Sequence, residues 1–381
     1  MIPAPELAAI RARFTRALSA PGIYLANHSL GRPPDRTAED VAAALEAWYR
    51  ERGEAWHRWL AARERFRALV AQLVGAPAAS AIVPRASAGQ GLRAVLASFD
   101  TPPRVLTTDE EFDSIDFVLR AWHERGRLRL VRVPARTEAL SAALAERFDL
   151  VVVSTVFYAS GRLLEDPTAL VAHAHAAGAL VLLDVYHHAG ALPLDLATLD
   201  ADFAVGGSYK YTRGGPGAAW LYVHPRQQGR RTLETGWFAA RAPFAFERSD
   251  PIAWASGADA WLEATPAALV PFQALAGLEF TLEVGVARLR AHHLAQKRAL
   301  AERLRAQGVR SEGADAAHGQ FLVVRHRQAR RLAERLAAQG IETDARGDRL
   351  RLGPDLLNTD DELDAAVWAL GALLRDQAFS T

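Results

Sequence analysis

Residues 179–223 read ALVLLDVYHHAGALPLDLATLDADFAVGGSYKYTRGGPGAAWLYV. Three apolar runs stand out: ALVLLD, ADFAVGG and AAWLYV. Each is too short for a buried helix, rich in branched or aromatic residues, and bounded by glycine or polar residues, as strands are. Runs apolar along their whole length belong to a sheet covered on both faces by helices. The same pattern extends towards the N-terminus, where SAIVPR, RVLTTDE, LRLVRVP and FDLVVVST alternate with amphipathic segments from about residue 64. One of those segments carries a complete set of helix signals: Asp166 as N-cap, Pro167 at the first helical position and Gly178 beyond the last turn. The expectation is an α/β fold with a mostly parallel central sheet flanked by helices. Ligands of such a sheet bind beyond the carboxyl ends of its strands.

Two residues of the quoted stretch fall at such ends. Asp184 closes ALVLLD, and Lys210 follows ADFAVGG 26 positions later. Of the 45 basic residues only Lys210 and Lys297 are lysine, so arginine has been accepted almost everywhere that a positive charge suffices. Arginine cannot lose its proton at ordinary pH or form an imine, which makes a retained lysine a candidate for amine chemistry. Lys297 lies in the polar helical stretch AHHLAQKRALAERL and is expected on a solvated surface. Lys210 sits in SYKYTRGGPG, where small residues let backbone approach a ligand. A lysine amine paired with a carboxylate that keeps a pyridine ring protonated is what pyridoxal 5′-phosphate needs. Ser208 and Tyr209 are candidate hydroxyl donors to its phosphate. The stretch from Pro84 to Gln90, PRASAGQ, leads from a strand into a helix, whose free N–H groups also suit a phosphate.

Composition removes several alternatives. The 381 residues contain no cysteine, which excludes disulfides, thiolate metal sites and cysteine nucleophiles; no metal is expected. The formal charge is +1, with both signs interspersed, so neither nucleic acid nor a membrane surface is an expected partner. Small molecules are. No apolar run approaches the length of a spanning helix, and a cytoplasmic location is expected. The chain divides into an N-terminal arm with helices (1–63), a large domain (64–264), a connecting helical stretch (265–310) interrupted near Gly277 and Gly285, and a small α+β domain (311–381). That last unit contains FLVVRH, a helix RQARRLAERLAAQG, short strands IETDA and RLRLG, and a final helix. The N-terminal arm is expected to pack with it.

From AHAAGALVLLD onward the chain resembles the kynureninase branch of the class V aminotransferases, enzymes of the aspartate-aminotransferase fold (fold type I), and the resemblance covers nearly the whole sequence. D-x-x-H-x-A-G at Asp184 and SYKY-x-x-GGPG around Lys210 are its most specific motifs. YLANHSLGRPP (24–34) resembles the family's GNSLG segment, TGWFAARAPFAFE (235–247) its GWFGH region, LEATPA its GTP segment, and RLRLGP its carboxylate-binding strand. The resemblance implies Lys210 as the Schiff-base lysine and general base, Asp184 as partner of the pyridine nitrogen, and His187 as a neighbour of the cofactor. It implies Tyr209 on the phosphate, Phe112 stacked on the ring, and Ala88 and Gly89 at the phosphate-binding helix start. Trp237 and Thr265 match residues given to the phosphate by a neighbouring subunit, implying a homodimer with shared active sites. Arg351 matches the arginine that pairs with the substrate α-carboxylate, with Asn27 and Ser29 on the substrate side.

The implied reaction is hydrolytic C–C cleavage of L-kynurenine, or a ring-substituted or related amino acid, to anthranilate and L-alanine, with Tyr209 and His187 handling protons. The alternative is a class V aminotransferase or β-eliminating lyase acting on another amino acid. A cysteine desulfurase is excluded because it needs a cysteine to accept sulfur. Three departures from the family pattern surround the site. F-P-[ST]-D is here Phe112-Asp113-Ser114-Ile115, so a carboxylate near the ring is missing or shifted to Asp113 or Asp116. The hydroxyl-rich D-S-T-S loop is Ala86-Ser87-Ala88-Gly89. The asparagine of GNSLG is His28, preceded by Asn27.

Overall fold

The structure, a computed structural model, describes residues 1–375. All seven apolar runs of the central region join one sheet. Its spatial order is Ile82–Arg85, Ala219–Val223, Phe203–Gly207, Leu180–Asp184, Leu150–Ser154, Arg104–Thr108 and Arg129–Val133. Ala219–Val223 runs antiparallel to both of its neighbours, and every other pairing is parallel. Val151, Val152, Val153, Leu182 and Leu183 are fully enclosed because helices cover both faces. The helix Pro167–Ala176 starts where its signals place it, with the Asp166 carboxylate accepting from the Ala169 N–H at 3.0 Å.

After Arg104–Thr108 the chain goes out to the edge strand Arg129–Val133, then returns to Leu150–Ser154 on the other side of its starting strand. That reversal opens a crevice at the carboxyl ends of the two inner strands, where α/β sheets hold ligands. Glu111 and Phe112 lie three and four residues beyond Thr108, and Ser154 and Asp184 are register partners across the next pair.

A second sheet is antiparallel, in the order Asp344–Arg346, Arg349–Leu352, Leu322–Arg325. The run IETDA is not one strand. It divides at Thr343, because Ile341–Glu342 pairs with Ile23–Tyr24 while Asp344–Arg346 turns to pair with Arg349–Leu352. The N-terminal arm thus joins this unit by a two-residue parallel pairing, and its Ile2, Ile10 and Phe14 pack against Phe280, Val284, Leu356 and Leu357.

Two further expectations are corrected. Gly277 does not interrupt the helical stretch: Val270–Val284 runs through it, and the break comes at Gly285, with φ 88°. Gly277 is needed instead for close approach, since a Cβ there would lie 2.1 Å from the Thr212 carbonyl oxygen. Lys297 is not on a solvated surface; its side chain is completely enclosed, and Nζ donates to the carbonyls of Gly313 and Gly319, both at 2.5 Å. In the helix Val286–Ala306 the buried stripe is Leu289, His293, Lys297, Leu300 and Leu304. Polar residues occupy part of an inward face, so composition concealed the stripe. Among the described residues no helix is long and apolar enough to cross a membrane.

Candidate active site

Lys210 lies in a loop folded tightly on itself: the Ser208 N–H donates to Ala218 O at 2.7 Å and the Gly214 N–H to Ser208 O at 2.6 Å. The N-terminal arm crosses this loop, with the Gly31 N–H on Tyr209 O at 2.8 Å. A Cβ on Gly31 would stand 1.9 Å from Lys210 O, so only glycine permits the crossing. The Lys210 ammonium is enclosed by the rings of Phe112, Tyr186 and Tyr209, 5.4–5.5 Å from their centroids. Its Nζ is 2.7 Å from His187 Nε2, and His187 Nδ1 is 3.1 Å from the Tyr211 hydroxyl. Burial, opposed by Asp184 and reinforced by Arg351, brings the Lys210 pKa down to about 7. Burial first and Lys210 second hold His187 well below its ordinary value, so its imidazole is neutral. With Lys210 donating to Nε2, the imidazole proton resides on Nδ1 and is donated to Tyr211.

Asp184 is buried at the end of its strand. One carboxylate oxygen accepts from the Tyr186 N–H at 2.9 Å, while Oδ2 is enclosed without a hydrogen-bond partner among the described residues. Burial raises its pKa, against the pull of the Tyr186 N–H and Lys210. Among the described residues the Ser208 hydroxyl is another enclosed polar atom without a partner. At the start of the helix Ala88–Leu96, the Ser87 hydroxyl caps the Gln90 N–H at 3.2 Å, and first-turn N–H groups such as those of Ala88 and Gly89 have no helical acceptor. These features fit pyridoxal phosphate: an amine of lowered pKa for its aldehyde, an orphaned carboxylate oxygen for its ring nitrogen, an aromatic face from Phe112, and Ser208 with the helix start for its phosphate.

Arg351 is enclosed at 2% exposure. Its guanidinium donates to Asp344 through Nε at 3.1 Å and forms an ion pair through Nη2 at 2.8 Å. It also reaches the Ser29 hydroxyl at 3.3 Å and the Tyr158 carbonyl, and lies over the Phe321 ring. Ser29 therefore belongs to the arginine's surroundings, its own hydroxyl donating to Asp344. Asn27 is engaged differently: its amide donates to Gly353 O at 2.9 Å and Tyr24 O at 3.2 Å, and its oxygen accepts from Arg32, clasping the arm to the segment after Arg351.

The carboxyl group buried beside the Asp184 strand is neither Asp113, which accepts from the Tyr158 hydroxyl at 2.8 Å, nor Asp116, which pairs with Arg120 and Arg132 at the surface. It is Glu111, held by the hydroxyls of Thr108 at 2.7 Å and Ser154 at 2.6 Å. Burial raises its pKa to about 8, the two hydroxyls opposing and Asp184 adding to the rise. Tyr211 and Asp344 also escaped the sequence reading. Asp344 left a signal: a two-residue turn at Gly347-Asp348 sets Asp344 opposite Arg351. His28, where the family has asparagine, is buried against Phe321, and neither ring nitrogen has a hydrogen-bond partner among the described residues. Trp237 and Thr265 lie together, indole N–H to hydroxyl at 3.3 Å, but among the described residues no contact joins them to Lys210 or Asp184. Thr265 lines a cavity of about 270 Å³ with Ala86 and Gln90.

With a buried lysine, an orphaned carboxylate oxygen and a helix start gathered in one crevice, the comparison with known proteins is decisive. The profile of the family Aminotransferase class-V matches residues 31–351. The chain belongs to that family. Within it the chain is kynureninase-like and a pyridoxal phosphate-dependent enzyme. It is 34% identical to the kynureninase of Salinispora tropica over 292 residues, 70% of this chain and 68% of that one. It is 29% identical to the kynureninase of Bacillus anthracis over 384 aligned residues, 94% of this chain and 89% of that one. Among solved structures, the fold matches the cystine C–S lyase C-DES with TM-score 0.81 at 20% identity, over 94% of this chain and 99% of that one. It also matches the cysteine desulfurase of Thermococcus onnurineus with TM-score 0.82 at 18% identity, over 98% and 99%.

Proposed function

We propose that this enzyme cleaves L-kynurenine, or a ring-substituted relative, with water to give anthranilate and L-alanine. The observation that carries the reading is the set formed by Lys210, Asp184 and Arg351 in a chain similar over 94% of its length to a kynureninase. Pyridoxal phosphate, when bound, supplies the electron sink that weakens bonds at the substrate's α and β carbons. The protein's residues do the rest. Arg351 grips the α-carboxylate through its planar fork. Lys210, with its pKa brought near 7, is available as a neutral base at the α-proton. His187 and Tyr211 continue the hydrogen-bonded line from Lys210 and accept or return a proton there. Burial raises the Tyr209 hydroxyl to about 12, which keeps it protonated and able to donate to a phosphate or to the reacting carbonyl. The rings of Phe112 and Tyr158 meet edge to face at 5.6 Å and help to exclude bulk water.

The fold is shared with cysteine desulfurases, but a chain without cysteine has no side chain to carry their sulfur. Anthranilate fluorescence, with alanine quantified in parallel, tests the proposal. Equal amounts of both from L-kynurenine are expected. Pyruvate or a keto acid from other amino acids, with no anthranilate, would replace this reading by that of a lyase or aminotransferase.

The same reading includes a homodimer with Trp237 and Thr265 completing the partner's site. An aromatic patch supports it: Trp237 stacks on Phe246 at 5.9 Å, and Phe246 and Phe244 are 74% and 46% exposed. Adjoining exposed aromatic rings mark a surface for association. A monomeric mass in solution for active holoenzyme would refute the shared site.

A further inference from the structure

Arg351 is not free to receive a carboxylate. Asp344 already matches its fork through two contacts, at 3.1 and 2.8 Å. The pairing follows from the hairpin, in which Asp344 is the register partner of Arg351 and their side chains share one face. A substrate carboxylate would bring a second negative charge to a guanidinium that a first has neutralised.

A second arginine stands beside this pair. Arg346, two residues on and therefore on the same face of the strand, places Nη1 3.0 Å from Asp344 Oδ1. Its side chain is 45% exposed, against 2% for Arg351 and 9% for Asp344, so it lies at the rim, where Nη1 also donates to the Ala345 carbonyl at 2.8 Å. Its charge reaches the site: it acts on His28, His187, Lys210 and Tyr158. Two guanidiniums and one carboxylate leave one positive charge over, the charge that a single substrate carboxylate would balance.

Building on the reading of Arg351 as the α-carboxylate site, we propose that Arg346 is a specificity-determining anion holder. It draws Asp344 away from Arg351 when a substrate carboxylate arrives, leaving the Arg351 fork to that carboxylate. Asp344 is a positioning residue: it holds Arg351 in place before substrate binds.

The test is equilibrium binding to holoenzyme, followed by the change in visible absorption, with L-alanine as probe and ethylamine as the same amine without a carboxylate. Arg346→Gln is expected to raise the Kd for L-alanine about ten-fold while leaving that for ethylamine unchanged. Arg346→Lys should recover most of the loss. Adding Asp344→Asn to Arg346→Gln removes the competitor and should return L-alanine binding to within about two-fold of wild type. The proposal falls if Arg346→Gln leaves L-alanine binding unchanged, if the double variant binds as weakly as Arg346→Gln alone, or if wild type binds L-alanine no better than ethylamine. None of these results depends on anthranilate formation, so failure of the kynurenine reaction is scored separately.

Discussion

The two lysines of this chain occupy environments that differ in one respect only. Lys210 and Lys297 are both enclosed, and burial brings both down to a pKa of about 7. What distinguishes them is their partners. Lys297 gives its protons to two backbone carbonyls and ties the helix Val286–Ala306 to the segment 313–319. Arg290 reinforces the same segment through Gly319, Ala316 and His318. Lys210 faces three aromatic rings and a neutral imidazole, and it feels the charge of Asp184, whose Oδ2 has no hydrogen-bond partner among the described residues. A lowered pKa therefore does not separate the two lysines; the unpartnered polar atoms beside Lys210 do.

Substituting each lysine in turn separates the two roles. Lys210→Ala is expected to abolish covalent attachment of the cofactor and turnover together. Lys297→Ala should leave attachment intact. Borohydride reduction followed by peptide mapping reads this out, and cofactor fixed to Lys297 would overturn the distinction.

Stability should separate the two lysines in the opposite sense. Lys297→Met keeps the length of the side chain but withdraws the donor from the Gly313 carbonyl, leaving a buried acceptor unsatisfied at a cost of about 1–3 kcal/mol. Urea unfolding of the holoenzyme should show that loss, with the absorbance of bound cofactor unchanged before the transition. An unchanged midpoint would mean that the two carbonyls are satisfied without the lysine.

The misreading of Lys297 shows what the sequence displayed and what it hid. The inner strands of the large sheet are legible because runs such as LVVV and LVLL are apolar, as a strand covered on both faces must be, whereas the edge strand Arg129–Val133 shows instead as an alternation of arginine with leucine and valine. Asp184 and Lys210 were legible because strand ends in such a sheet adjoin a crevice. The inward stripe of Val286–Ala306 was not, since His293 and Lys297 lie on it and a buried cation satisfied by carbonyls leaves no apolar signal. Gly277 was misread for a related reason: its need for space arises from Thr212, 65 positions away in sequence. Asp344 could have been found from the Gly347-Asp348 turn. Glu111 could not, because its enclosure depends on Thr108 and Ser154 meeting where the sheet order reverses.

Glu111 is buried like the two lysines, but its partners accommodate either protonation state. Its neighbours are hydroxyls, which donate to a carboxylate and equally accept from a carboxylic acid or an amide. Burial moves its pKa from 4.5 to about 8. The sign follows from proton counting: between those values the folded protein holds a proton that the unfolded chain releases. Glu111 therefore contributes its full share of stability below about pH 4.5 and loses it as pH rises towards 8. A single proton limits the slope to about 1.4 kcal/mol per pH unit. Glu111→Gln cannot titrate, yet it retains one acceptor and one donor for Ser154 and Thr108. Between pH 5 and 8 the unfolding free energy of the variant should fall less steeply than that of wild type, by up to about 1 kcal/mol per unit, while the cofactor remains attached. Parallel profiles would show that Glu111 ionises in the fold as readily as in the open chain, and that enclosure by hydroxyls alone is enough to keep a buried charge.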